Sequence, residues 1–443
     1  MGTCFSDGKL EQLAKETAFI KRKGRIDAST FAKMLIFNEL DQSQLSLLDL
    51  KLDLQSFFGC NISREAIHKR FSPEALSFLK ALLAKLIDFH LQKVEWKPSL
   101  VSCFNRLLLK DSSKFTIPSI FAGDYPGYGG FHKGNAIMNI QYEYDLFTGN
   151  WTSLNFTKAT RNDQQDSKET LSKIEKNDLL IRDLGYVTMT YLNGVVNNKA
   201  YFLNRLPTTT GVYSQKDGED QPINWIKIDK EFKKNELFQM ELDVVLTKEH
   251  KLGTRMILFP VPESTYCQRI KDASKHAKSK GFQLSDEYKI KVRYNIFITN
   301  VPQEKLSFQD IMHLYRLRWQ IELVFKSWKS NLSLHKTKRV KQVRFECQLI
   351  ARMIWAVINW RIFQSANWSL EPSKVAKGIS ILKFSKQIIK FTAIFRRYIH
   401  DVTNLKLKIK ERYIPMINHL LIETKKGKVS HCQLFADSFY GLG

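Results

Sequence analysis

The 443-residue chain lacks a cysteine framework. Its six cysteines (Cys4, Cys60, Cys103, Cys267, Cys347, Cys432) are far apart, with no Cys-x-x-Cys pair, and its ten histidines form no His-x-x-x-His pair. Disulfide scaffolds and zinc clusters are thereby excluded, and a reducing, intracellular setting fits best. Long apolar runs are missing too. The best, Leu349 to Phe363, is broken by Arg352, Asn359 and Arg361, and is shorter than the roughly 18–20 residues of a membrane span. Met1 is followed by neither a basic start nor an apolar core, so no signal peptide is read. Nucleotide-binding glycine patterns are also absent. The loop from Gly123 to Gly134 has no Gly-x-x-x-x-Gly-Lys-Ser/Thr around Lys133, and Gly127-Tyr128-Gly129 lacks a third glycine. A surface loop is expected there, with no nucleotide cofactor. Acid is scarce: Lys+Arg 69 against Asp+Glu 44 leaves a net charge of +25. An excess of this size calls for a polyanionic partner, nucleic acid or an anionic membrane surface.

A hydrophobic share of 43% with 12% aromatics describes a folded chain, and the length suggests about three domains. Residues 1–100 read as helical. Leu76, Leu79, Leu82, Leu83, Leu86 and Ile87 recur at helical spacing behind Ser72-Pro73-Glu74, which supplies a cap, a first-turn proline and an acid. A short helix opened by Ser63 precedes it. Arg64, Lys69 and Arg70 on that helix suit either a helix-turn-helix reader of DNA or an ordinary bundle with a basic face. Residues 101–206 change to an α/β texture. A hairpin is expected from Ala136–Tyr144 and Trp151–Thr157 about Thr148-Gly149-Asn150, with further strands at Leu179–Ile181 and Tyr201–Leu203. Residues 207–294 alternate polar and apolar in places, Trp225–Ile228 among them, and suggest a mostly β insertion with a basic helical piece at 269–280. A strand, Tyr294–Thr299, then begins the segment 295–375, and a helical, basic region follows from 376 to 443.

Two apolar runs end in an acid directly after a base: Leu107-Leu108-Leu109-Lys110-Asp111 and Leu179-Leu180-Ile181-Arg182-Asp183. Each acid is expected at the carboxyl end of a buried strand, the edge where α/β sheets build sites. A turn aspartate at Asp111 and a helix cap at Asp183 are the plainer readings. The stretch Leu314 to Lys329 has no Gly or Pro and reads as one helix. At about 100° per residue, Tyr315, Arg318, Glu322 and Lys329 share a stripe about 60° wide. Glu322 is the only acid between Ile311 and Phe345, amid Arg316, Arg318, Lys326, Lys329 and five further bases. A lone carboxylate would weaken a surface built only for phosphate, whereas one holding Mg²⁺ beside cationic clamps suits phosphodiester chemistry. An i,i+4 pair of Glu322 with Lys326 or Arg318 is the simpler alternative.

Tyr315, Arg318, Glu322 and Lys329 match in type and spacing the Tyr-(2)-Arg-(3)-Glu-(6)-Lys signature of bacterial insertion-sequence transposases of the IS-four type. Asp183-Leu184-Gly185-Tyr186 resembles that family's second-aspartate motif and Asp111-Ser112-Ser113 its first, although many members have Arg where Leu184 stands. The resemblance spans residues 101 to 345, with a looser likeness in the helical start. It implies a ribonuclease-H-like α/β core, interrupted by the insertion, with Asp111, Asp183 and Glu322 as catalytic ligands of Mg²⁺, which Mn²⁺ can replace. It implies a homodimer that binds terminal inverted repeats in DNA, cuts them and joins the 3′-hydroxyl ends to target DNA, in a bacterial cytoplasm at the nucleoid. Tyr315, Arg318 and Lys329 would hold phosphates, Lys326 would be a further DNA contact, and Trp225 is a candidate to stack on a flipped base. A structure-directed nuclease on the same core, or a DNA-binding protein without activity, are the competing functions.

Overall fold

The computed structural model describes residues 2–22, 24–39, 45–88, 103–128, 134–216, 219–247, 249, 251–368, 378–413 and 416–421. Among the described residues, five α-helices open the chain: α1 (Asp7–Glu16), α2 (Ala28–Ile36), α3 (Leu47–Phe58), α4 (Arg64–Arg70) and α5 (Pro73–Asp88). Short polar side chains set their starts. Asp27 accepts from the Thr30 amide, Ser63 from Ala66 and Ser72 from Ala75, while Ser46 and Asp49 close a reciprocal capping box. Each such cap contributes about 1 kcal/mol. Helix α3 ends at Gly59, whose φ of +62° is left-handed and costs a glycine little.

The described strands form a ten-stranded sheet in the order β3-β2-β1-β4-β5-β10-β9-β8-β6-β7. Its strands are β1 (Arg106–Ile117), β2 (Ala136–Asp145), β3 (Trp151–Lys158), β4 (Asp178–Arg182), β5 (Tyr201–Arg205), β6 (Val212–Lys216), β7 (Glu219–Pro222), β8 (Met240–Leu246), β9 (Leu252–Pro260) and β10 (Tyr294–Thr299). Strands β1, β4 and β5 are parallel; β2 and β10 run antiparallel to them, and β3 pairs antiparallel with β2. Both faces of the sheet are covered, which is why its central strands read as unbroken apolar runs. Leu107, Leu109, Ile181 and Leu203 join one core, and Leu108, Leu180 and Phe202 the other.

Helices α6 (Asp163–Glu169) and α7 (Met189–Asn197) cover the second face near β4. The segment 207–294, expected to be mostly β with one helical piece, holds more helix than strand: α8 (Trp225–Lys234), α9 (Glu263–Lys280) and α10 (Asp286–Lys291) accompany β6 to β9, and those strands extend the main sheet. Trp225–Ile228, expected to alternate as a strand, is helical. Asn224 caps the Lys227 amide, and Trp225, Ile228 and Phe232 are buried at helical spacing.

The first face carries α11 (Phe308–Leu317), α12 (Trp319–Ser330) and α13 (Gln342–Trp368), then α14 (Ile381–Ile388), α15 (Thr392–Tyr398), α16 (Val402–Tyr413) and α17 (Ile417–Leu420). Helix α13 packs on α2 and α5, and Trp355 meets both Phe37 and Phe395 edge to face, linking the N-terminal, central and C-terminal helices. Several arginines serve as buried carbonyl ligands here: Arg344 donates to Leu45, Arg361 to Ile87 and Arg396 to Phe37. Among the described residues, no helix is long and apolar enough to cross a membrane.

Candidate active site

Strands β1 and β4 pair in parallel with Lys110 beside Arg182. The next residue on each is Asp111 and Asp183, so the two acids are neighbours at the point where β4 stops. Asp183 ends its strand as expected. It stands at the N-cap position of a short 3₁₀ turn, but its side chain makes no capping bond. Asp111 departs from expectation. It lies in the middle of β1, because β2 pairs with that strand as far as Ile117 while β4 leaves it after Lys110. It is therefore a strand residue, not a turn aspartate, beside an edge that β4 no longer covers.

The expected single helix from Leu314 to Lys329 is two helices meeting at Arg318, which belongs to neither. The junction is tightened by i→i+3 bonds, from the Arg318 amide to the Tyr315 carbonyl and from the Ile321 amide to the Arg318 carbonyl, each 3.1 Å. Backbone dihedrals at Arg318 stay right-handed (φ −52°, ψ −33°), so the stripe survives the break. Arg318 Nη2 donates to Glu322 Oε1 at 2.6 Å, and Nη1 lies 3.6 Å from Asp111 Oδ2. Its guanidinium sits 5.8 Å from the centre of the Tyr315 ring. The Tyr315 ring meets Phe297 on β10 edge to face.

Electrostatics tie these groups together. Burial pushes the Asp111 carboxyl up to about 7; Arg318 and the Ser112 amide pull it back, while the charges of Asp183 and Glu322 raise it further. Burial opposes the charge of Arg318, yet Tyr315, Asp183, Asp111 and Glu322 together hold its guanidinium above its ordinary value. Tyr315 is pushed up to about 12, chiefly by burial. Lys329 lies along the same side of α12 and donates to the Lys114 carbonyl at 3.3 Å; burial lowers its affinity for a proton. Lys326 is exposed.

The donor set suits a hard divalent cation, since it offers carboxylate oxygens only. The present geometry does not. Among the described residues, no three His, Cys, Asp or Glu side chains are grouped closely enough to hold a metal ion. A guanidinium stands where the carboxylates would converge.

Lys110 and Arg182 point to the opposite face of the sheet. Lys110 is fully buried against Asp166, which Arg161 also holds at 2.9 Å. Arg182 donates to Glu143 Oε2 at 2.8 Å and lies over Tyr191. The bases before the two acids were visible in the sequence, but nothing in it showed that Glu143 and Asp166 would close over them. Arg205, at the end of β5, was also missed. It lines a cleft of about 880 Å³ that includes Leu184, Arg269 and Tyr288. A signal existed, since Arg205 closes a third parallel strand as Arg182 closes the second.

The remaining sequence candidates separate. Arg64 and Lys69 are exposed on α4. Arg70 turns inward, donating to the Ile26 carbonyl at 2.8 Å beside the Phe19 ring, so it is not the exposed base expected. Trp225 is buried, with Lys291 over its ring; that packing leaves no free face for a base. Of the glycine loop, residues 129–133 lie outside the described residues; Gly127 donates its amide to the Asn135 carbonyl.

Residues 103–358 match the family model described as a transposase DDE domain. The transposase for insertion sequence element IS231B of Bacillus thuringiensis subsp. berliner is 32% identical over 359 residues, covering 78% of this chain and 75% of the relative. The IS231C transposase of the same organism is 28% identical across 95% of this chain and 89% of its own length. The IS1151 transposase of Clostridium perfringens is 28% identical across 87% and 84%. Among solved structures, a piggyBac transposase synaptic complex with hairpin DNA aligns over 95% of this chain and 84% of that one, at 10% identity and a TM-score of 0.40. That likeness is too loose to carry an argument.

Proposed function

Given that the chain belongs to the transposase DDE-domain family, we propose that it binds the terminal inverted repeats of its element, cuts them and joins the 3′-hydroxyl ends to target DNA. The observation that carries this reading is the gathering of Asp111, Asp183 and Glu322 around Arg318, from two parallel strands and a helix that are distant in sequence. The parallel β1-β4-β5 set flanked by the antiparallel β2–β3 hairpin is consistent with a ribonuclease-H-like core.

Asp111, Asp183 and Glu322 would hold Mg²⁺ or Mn²⁺, which supplies an activated attacking oxygen and a stabilised leaving oxygen for in-line displacement. The chain's own work is to bind and orient. Arg318 offers a planar fork suited to two oxygens of one phosphate. Lys329 and Lys326 add point charges along the same helix, and Tyr315 buttresses Arg318. Exposed Arg64 and Lys69 on α4 are the proposed contacts of the helical start, and a homodimer would pair the two ends. No Ser–His or Cys–His pair is assigned, since water and then a DNA hydroxyl would serve as nucleophiles.

The test is cleavage of supercoiled plasmid carrying the element's own terminal repeats, with Mg²⁺ and with EDTA, wild type beside Asp183→Ala. Cuts at the ends that need both the metal and Asp183 are expected. Tight binding without any cut would leave a DNA-binding protein; cutting without joining would leave a nuclease.

A further inference from the structure

One guanidinium does the work of a counter-ion for three carboxylates. Arg318 hydrogen-bonds Glu322 at 2.6 Å and approaches Asp111 at 3.6 Å, and the charge of Asp183 also acts on it. Its Nε is buried with no hydrogen-bond partner, so its hold is incomplete. An ion bound at the 2.0–2.1 Å oxygen distances typical of Mg²⁺ would need the same oxygens. A guanidinium cannot give up its charge to make room, and two cations so close repel one another. The side chain must therefore move before the carboxylates can close on an ion.

We propose that Arg318 is the internal counter-ion of the DNA-free protein, and that an arriving DNA phosphate draws it off the carboxylates, so that divalent metal loads after DNA. The proposal rests on the transposase reading of this site. A phosphate is a natural competitor, because it offers the guanidinium two charge-assisted bonds in place of one bond and one looser ion pair. The residue is well placed to swing. It sits at the junction between α11 and α12, with its side chain 15% exposed to arriving solutes. The two ligands are then coupled: whatever factor DNA adds to metal affinity, metal adds to DNA affinity. Were Arg318–Glu322 merely an i,i+4 pair that braces a helix, its removal would not strengthen metal binding.

The experiment measures Mn²⁺ binding by electron paramagnetic resonance on the full chain, without DNA and with a saturating duplex of the inverted repeat flanking this coding sequence. DNA occupancy is followed by anisotropy, and the signal of DNA alone is subtracted. For wild type, DNA is expected to tighten Mn²⁺ binding by about tenfold or more, within the usual range of coupling. Arg318→Gln should bind Mn²⁺ without DNA as tightly as wild type does with DNA, and gain little when DNA is added. Arg318→Lys, which keeps a charge but not the fork, should fall between them. Melting followed by circular dichroism identifies any variant that fails to fold, in which case Arg318→Lys carries the comparison. Unchanged or weaker Mn²⁺ affinity in DNA-free Arg318→Gln overturns the proposal, as does an equal gain from DNA in both proteins. Asp183→Asn distinguishes the two levels of the argument. Loss of Mn²⁺ binding in that variant supports the carboxylates as ligands whatever Arg318 does. If no protein binds Mn²⁺ in any state, the metal reading of the site fails together with the counter-ion.

Discussion

Strands β1 and β4 present the same pair of residue types to each face of the sheet, and the two faces are treated in opposite ways. On one face Lys110 and Arg182 are sealed, each against its own carboxylate, with no side-chain exposure. On the other, one residue further along, Asp111, Asp183 and Glu322 share a single guanidinium, and Asp111 keeps 18% exposure. The sealed face balances Lys110, Arg161 and Arg182 against Asp166, Glu169 and Glu143; the open face carries an excess of negative charge. Buried pairs of the first kind fix strand positions and are costly to break. A cluster of the second kind stores repulsion that a cation or a proton relieves. The difference separates a structural floor from the proposed reactive surface.

The largest expected effect lies on the open face. Asp183→Ala and Glu322→Ala should abolish metal-dependent cleavage while end binding stays within a few-fold, read on the same plasmid and by gel shift. Loss of binding in step with cleavage would make these residues structural and erase the contrast. Next comes the sealed face. Arg182→Met removes the hydrogen-bonded cation from Glu143 and should cost about 3–5 kcal/mol, seen as a lower calorimetric melting temperature. Adding Glu143→Leu should recover most of that loss.

pH offers a finer test, because Glu143 and Asp111 shift in opposite senses. Burial works against the charge of Glu143, yet Lys110 and Arg182 hold its carboxyl below the ordinary 4.5. Its contribution to stability is therefore full above that value and is lost as pH falls through the lower folded value. Asp111 is raised from 3.8 to about 7, so its cost to the fold grows as pH climbs through that interval and is complete above it. In chelator, Asp111→Asn should melt higher than wild type above pH 7, by a few kcal/mol at most, and Glu143→Gln should flatten the acid limb. A higher acid stability in Glu143→Gln would reverse the assignment.

The smallest effects concern surface cations. Lys326→Ala and Lys329→Ala should each flatten the salt dependence of DNA binding by about one unit. Arg70→Ala should leave that slope unchanged and lower stability instead, since its guanidinium serves the Ile26 carbonyl. A changed slope in Arg70→Ala would return it to the DNA contacts.

Much of the site was legible because its parts are local patterns. Helical spacing brought Tyr315, Arg318, Glu322 and Lys329 onto one stripe, and capping residues located α4 and α5. The break at Arg318 was not legible, since no Gly or Pro marks it. Asp111 was placed at a strand end because its apolar run ends there; the strand continues because β2 pairs with it, a contact the run does not encode. Trp225 and the arginines of α13 and α15 show the limit of composition. An exposed cation and one that binds a buried carbonyl are the same letter.

By itself, the sequence determined the helix stripe, the strand runs and their order, because those depend on periodicity and on neighbours a few residues away. It also set the charge excess that calls for a polyanion. Only the tertiary structure decided that Asp111 and Asp183 stand side by side, that Lys110 and Arg182 are sealed on the far face, and that Arg318 occupies the space among the acids. Apart from the local Arg318–Glu322 pair, those relations join residues 39 or more positions apart in the chain, and strand pairing and burial create them.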